Sequence, residues 1–415
     1  MSTLGQAPAA APTGATIHAA MTLIWFMAAS SAPTPLYRLY QEAWGFSPSV
    51  LTLIFAVYAF SLLLALLTVG SLSDHIGRRP AIFAALCLEI GAMALFLAAR
   101  DVGWLIAARI LQGFATGLAT TSLSAALLDA NRVQGPLINS LVPPLGMAIG
   151  ALGVSLLAEY APWPTRLSYG GLIALFALQA ALVWRSPETA GGRHGAWASL
   201  RPRIVIPAGV IRPLLRITPA NIAIWALGGF SLSLMPSLVR VTTGASSAVA
   251  GGSMVAAMTL SGAGAILALQ GVKAARVLAL GSGALALGVA VVLAGAHGGQ
   301  ASVLLAGIII AGFGWGGAFL GGLRTVLPLV DAGERAGFMS AYYLQSYLAM
   351  SLPALLAGYG ARDFGLLAAT DIYGVVLIIL ALIAVVLARR DAAILAPMAP
   401  ARLCPAPPSP SRPSV

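Results

Sequence analysis

Long apolar runs, broken by short clusters of Gly, Pro and charge, recur along the 415 residues. Each run approaches the ~20 residues with which a helix, rising ~1.5 Å per residue, crosses a ~30 Å hydrocarbon layer. The runs are continuous rather than alternating, which favours helices over the ~10-residue alternating strands of a closed barrel. Helices also satisfy their backbone polar groups internally, as lipid demands. The pattern predicts twelve spans. The first six run over about Ile17–Pro35, Ser49–Val69, Ala81–Ala99, Gly103–Leu123, Leu137–Leu157 and Leu167–Val183. The second six cover about Pro219–Leu238, Ser247–Leu269, Ala279–Ala296, Ser302–Gly322, Gly337–Gly358 and Leu366–Leu387.

The longest polar interruption, Arg185–Arg216, divides these spans six and six. The expected organisation is a tail over 1–16, a helical bundle over 17–184, a basic linker over 185–216, a second bundle over 217–390 and a Pro-rich disordered tail over 391–415. A faint repeat at an offset of about 200 supports the division: Trp25-Phe26 followed by Pro33, Pro35 and Arg38 is echoed by Trp225, Phe230, Pro236 and Arg240. No Lys or Arg precedes Arg38, so the first run lacks the charged start of a secretory signal and is expected to stay as an anchor.

Composition agrees with a polytopic helical membrane protein, since hydrophobic residues make up 59% and charged ones 8% of the chain, against about 25% charged in soluble domains. The net charge of +11 raises the question of nucleic acid, which the placement of the basic residues removes. On the face opposite the Gly70–Pro80 turn fall only Arg38, Arg100, Arg166, Arg240 and Arg362, with Arg109 inside the layer; the other seventeen of the 23 basic residues lie on the face of that turn. The bias predicts both termini in the cytoplasm, and the linker is expected along anionic lipid. Cys87 and Cys404 show no disulfide or metal-ligand spacing. Four scattered histidines assemble no hydrolytic set, and no phosphate-binding loop occurs, so neither cofactor nor ATP is implied.

The turn itself, Gly70-Ser71-Leu72-Ser73-Asp74-His75-Ile76-Gly77-Arg78-Arg79-Pro80, resembles the loop between the second and third helices of major facilitator superfamily transporters, G-x-L-x-D-x-x-G-R-R/K. Gly70, Leu72, Asp74, Gly77, Arg78 and Arg79 match, while His75 replaces a basic residue. The resemblance implies an all-α fold of twelve transmembrane helices in two parallel six-helix bundles, most like bacterial drug or metabolite efflux members. It implies a gating role in which Asp74 pairs with basic residues; a simple helix cap is the alternative. Arg109, followed by Gln112-Gly113, resembles the superfamily's fourth-helix motif. In the fifth span only Pro144 falls in register with the superfamily's antiporter motif.

Ionisable groups within the layer cost at least a few kcal/mol and are seldom kept without a use. Glu89 and Arg109 are the two clear cases, at depths that let them approach one another, and they are the candidate proton-coupling pair. Arg109, Gln112, Thr116 and Thr120 share one helical face, which is expected to line a central cavity. Trp25, Tyr58, Asn221, Trp225, Trp315, Tyr342 and Gln345 are further cavity candidates. An apolar pocket with few polar anchors suits amphipathic compounds better than sugars.

These features predict a monomeric secondary transporter of the plasma membrane, without cofactor, whose partners are a small-molecule substrate, protons and lipid. Proton-coupled export is the leading expectation. Uptake by proton symport and a non-transporting sensor or scaffold are the alternatives, and no paired carboxylates or nucleophile near an interface support an enzyme.

Overall fold

The computed structural model describes residues 13–192, 194–202, 204–331 and 333–395. The expected disordered tail beyond residue 395, the first twelve residues, Arg193 and Arg203 lie outside the described residues. Among those described, every regular element is helical. The first bundle comprises α1 (Thr13–Ser31), α2 (Pro33–Trp44), α3 (Pro48–Thr68), α4 (Ser73–Ile76), α5 (Arg78–Leu97), α6 (Val102–Ala130), α7 (Gly135–Tyr160) and α8 (Pro164–Leu182). A short helix α9 (Ala196–Ser199) interrupts the linker. The second bundle contains α10 (Ile211–Ser233), α11 (Met235–Thr243), α12 (Ala248–Ala268), α13 (Ala274–Gly298), α14 (Ala301–Val326), α15 (Arg335–Asp363) and α16 (Leu366–Leu395).

Two spans are broken in the same way. Pro33 and Pro35 lie in the first turn of α2, and Pro236 lies in the first turn of α11. Each proline removes a backbone donor at the junction with the preceding helix, so α1/α2 and α10/α11 are each one span with a joint. Counted so, there are twelve membrane-length spans among the described residues, of which eleven are long and apolar enough to cross a membrane by composition. The remaining one, α15, carries Ser340, Tyr342, Tyr343, Gln345, Ser346, Tyr347 and Ser351 along its length. Ser340, Ser346 and Ser351 donate to carbonyls one turn back along α15, and Gln345 and Ser346 also meet α10.

Several helices outrun their apolar segments. The helix α10 starts at Ile211, with Pro219 in its interior, although residues to 216 were expected in the linker; α16 continues through Asp391–Leu395, where a disordered tail was expected. Likewise α6 extends to Ala130 and α14 to Val326. Helical hydrogen bonding does not stop where hydropathy does, and Arg212, Arg216, Arg324, Arg389 and Arg390 ride on the end turns of these helices.

Each bundle has its own core, one running from Ala19 to Val183 and the other from Val210 to Ala388. In the second, α13 and α14 meet almost backbone to backbone: a Cβ on Gly288 or Gly314 would lie 2.2 Å from the main chain of the facing helix. Small residues are what allow helices in lipid to gain this contact. The bundles join along two seams, α3 against α15 and α7 against α12, filled by Phe55, Ala59, Ala151, Leu232, Val255, Met350 and Ala354.

Candidate functional site

At the Gly70–Pro80 turn, α4 ends at Gly77, whose φ of +99° is costly for any residue with a side chain. A Cβ there would also sit 2.8 Å from Glu188 Oε2. The bend aims the first N–H groups of α5 at Glu188, whose carboxylate accepts from Arg78 N at 2.8 Å and Arg79 N at 3.0 Å. Burial pushes the Glu188 carboxyl up, but backbone donors from Arg79, Ala190, Arg78 and Thr189 outweigh it and hold the group below the usual carboxylate range. Arg78 reaches Asp74 Oδ1 at 2.5 Å, Asp129 Oδ2 at 3.2 Å and Ser73 Oγ at 2.7 Å. Thr189 Oγ1 donates to the same Asp129 oxygen at 3.1 Å. Asp74 therefore pairs one helical turn along, within its own segment. Gly70 packs against the Leu66 carbonyl and Leu72 precedes α4. The linker continues across this face, with Ser71 Oγ donating to the Ser199 carbonyl and Val205 N to the Gly337 carbonyl at the start of α15.

The two intramembrane charges lie in the core of the first bundle. Arg109 is 1% and Glu89 0% exposed. They make no direct ion pair. Gln112, one turn along α6 from Arg109, accepts from the Arg109 guanidinium at 2.7 Å and donates through Nε2 to Glu89 Oε1 at 3.1 Å and to the Ala29 carbonyl at 2.9 Å. Arg109 also donates to Tyr37 Oη at 2.7 Å and to the Ser30 carbonyl at 3.0 Å. Its guanidinium carbon lies 4.9 Å from the Tyr58 ring centre and 5.6 Å from that of Tyr37, in cation–π range. The guanidinium is thus held on several sides, whereas Glu89 Oε2 has no hydrogen-bond partner among the described residues.

Gln112 and Thr116 of the α6 stripe are both fully buried, with Thr116 donating to the Gln112 carbonyl. A helical face known from spacing alone leaves open which neighbours it meets; Gln112 meets α1 through the Ala29 carbonyl and α5 through Glu89.

Between the bundles stands an aromatic group. Trp225 of α10 lies 4.9 Å from Tyr347 and 6.4 Å from Tyr343, both on α15, and Tyr342 meets Tyr343 at 5.9 Å. Tyr58, Leu62 and Leu66 of α3 pack against Tyr343 and Tyr347 from the other bundle. Beside it Asn221 donates to Gln345 Oε1 and Ser346 Oγ, each at 3.0 Å, and Gln345 donates to Thr218 at 2.9 Å. Tyr58, Asn221, Trp225, Tyr342 and Gln345 are therefore gathered at or beside the seam. Trp25 instead packs on the first core, and Trp315 lies against Gly262 of α12.

Sequence reasoning missed Tyr37, Thr218, Tyr343, Ser346, Tyr347 and Glu188. The i, i+4 pair Tyr343/Tyr347 was a readable signal of one aromatic face. Tyr37 gave none, because its role depends on the joint that tips α2 over Arg109.

Among the described residues, twelve membrane-length spans in two bundles, joined along two seams and with Glu89 and Arg109 buried in the first, define a polytopic membrane protein. Residues 16–352 match the model of the Major Facilitator Superfamily, and the chain belongs to that superfamily. It is similar to the multidrug resistance protein MdtL of Klebsiella pneumoniae (strain 342), with 27% identity over 191 residues, 43% of this chain and 48% of that protein. The match thus spans about half the length of that relative. In fold it resembles the human organic anion transporter MFSD10 (TETRAN), with a TM-score of 0.64 and 18% identity, covering 89% of this chain and 98% of that one.

Proposed function

We propose that this transporter exports small amphipathic or aromatic compounds in exchange for protons, by alternating access between its two bundles, with Glu89 carrying the proton. The observation that carries the reading is the Glu89–Gln112–Arg109 relay. A fully buried carboxyl that has one donor on Oε1 and none on Oε2 has one oxygen free of any protein partner at which a proton can be taken up and released. Gln112 connects that change to Arg109, and Arg109 to Tyr37 and Tyr58. Tyr58 stands in the seam with Tyr343 and Tyr347, so the relay ends where a substrate passing between the bundles would meet aromatic faces.

The basic face is the cytoplasmic one in this reading, with both termini there and the protein in the inner membrane, because Arg is concentrated on that face. The name of the relative MdtL favours export. Arg78, Asp74, Asp129 and Glu188 form the gate on the cytoplasmic side, holding α4 and the start of α5 to α6 and the linker.

The test is efflux from sealed vesicles across a compound library, with and without a pH gradient. The wild type accelerates efflux of at least one compound when a gradient is imposed, and Glu89→Gln loses that acceleration. Unchanged gradient-driven transport in Glu89→Gln removes Glu89 from the mechanism, and gradient-driven accumulation in the reverse direction replaces export by uptake. Absence of any movement, with Asp74→Asn indistinguishable from wild type, replaces both by a non-transporting sensor.

A further inference from the structure

On the face opposite the Gly70–Pro80 turn, a small cleft opens to solvent between the two bundles, walled by α2, α11 and the start of α12. Its charge comes from two arginines that the internal repeat places alike. Arg38 is the sixth residue of α2 and Arg240 the sixth of α11, each following a proline-broken joint. Their guanidinium groups converge on one carboxylate, Glu42 Oε1, at 2.7 Å from Arg38 and 3.8 Å from Arg240. Arg38 is held further by the Ser246 carbonyl. Arg240 has no other ion-pair partner among the described residues, and its contact with Glu42 is too long for a hydrogen bond. The other carboxylate at this rim, Glu159, is engaged by Ala248 N at 2.7 Å. Below, Tyr37 forms part of the pocket wall, and its hydroxyl accepts from buried Arg109. The remaining wall mixes Leu51, Val239 and prolines with Gln41 and serines.

We propose that this pocket binds a small organic anion, a carboxylate on a compact apolar body, clamped between Arg38 and Arg240 in exchange with the Glu42 carboxylate. Glu42 shows that the two guanidinium groups, one from each bundle, can share a single carboxylate. Its loose end at Arg240 is the place at which an external carboxylate competes. The apolar wall accepts the body of the anion, and bidentate geometry favours a carboxylate over a point-like anion. An anion held there joins α2 to α11 and rests against the hydroxyl-bearing ring that orients Arg109. The proposal rests on the transport reading only in naming this face the outer one.

Binding of radiolabelled benzoate to the purified full-length protein in detergent tests it without any gradient, so its failure is separable from failure of proton coupling. Wild type is expected to bind benzoate, with benzyl alcohol, the neutral counterpart, unable to compete. Arg240→Gln should weaken binding roughly tenfold, the loss of one charge-assisted contact at a half-exposed site. Glu42→Gln should tighten it severalfold by removing the internal competitor. Benzyl alcohol competing as well as unlabelled benzoate, an unchanged affinity in Arg240→Gln, or weaker binding in Glu42→Gln overturns the proposal. The competition result and the gain in Glu42→Gln decide the matter even where the arginine variant does not fold.

Discussion

Gln112→Leu is the substitution that separates a relay from two unrelated buried charges. Gln112 makes three cross-group hydrogen bonds, two of them to the ionisable side chains of Arg109 and Glu89. In water-soluble proteins each bond to an ionised group contributes about 1.5–3 kcal/mol. Cross-helix bonds in lipid average only about 0.6 and reach about 1.7 kcal/mol, because helices separated within the membrane find other partners. The lipid values govern here, so Gln112→Leu should destabilise the protein by about 1–3 kcal/mol in an SDS titration of the detergent-solubilised chain. Arg109 keeps Tyr37 and the Ser30 carbonyl, so most of the loss falls on Glu89, left with no donor at all. Glu89→Gln alone should cost under about 1 kcal/mol, since Gln112 Nε2 still finds an oxygen acceptor. In the Gln112→Leu background the same change removes an unpartnered buried carboxyl and should restore about 1 kcal/mol. Gradient-driven transport should be lost in Gln112→Leu as in Glu89→Gln. If the two substitutions add within about 0.5 kcal/mol, or if Gln112→Leu keeps full gradient-driven transport, the relay is refuted.

Three further outcomes follow from the geometry. Gly252→Ala, whose methyl would overlap Ser155 Oγ and come within 2.7 Å of the Ala151 carbonyl across the α7/α12 seam, should part the bundles on that face and speed alkylation of a cysteine placed at Ser155; an unchanged rate argues that the seam is looser than the contacts imply. Glu188→Gln should expose the linker to limited proteolysis. Because the Glu188 carboxyl is held below its ordinary range, its stabilising effect is complete above a pH of about 4.3 and is lost only as pH falls through its lower folded value; protease sensitivity of the wild type that rises on the alkaline side contradicts this. Arg78→Lys keeps the charge but cannot reach Asp74, Asp129 and Ser73 together, so it should lower transport severalfold while leaving the amount of folded protein in the membrane within about twofold, and full activity counts against a geometric role.

How much of this was legible beforehand follows from which physical quantity each feature depends on. Helix number, the two-bundle division and the location of the basic turn were readable in the chain, because lipid imposes a length and a polarity on every span, and both are properties of consecutive residues. The burial of Glu89 and Arg109 within the layer was readable for the same reason: an ionisable side chain in an apolar run stands out without knowledge of its neighbours. That Gln112 hydrogen-bonds to both, that it meets α1 inside the bundle core, and that Tyr37 tips over Arg109 were not readable. These depend on the rotation of each helix about its axis and on the joint between α1 and α2, which periodicity leaves free. The polar span α15 escapes a composition test yet belongs to the fold, since Tyr343 and Tyr347 pack on α3 and α10 while Gln345 and Ser346 hydrogen-bond to α10. Glu188 looked like one charge in a polar linker until the left-handed turn at Gly77 brought the α5 amides to it. Local composition thus decided what must lie in the membrane, and only packing decided which polar groups meet there, because contacts between helices distant in sequence are set by their mutual orientation.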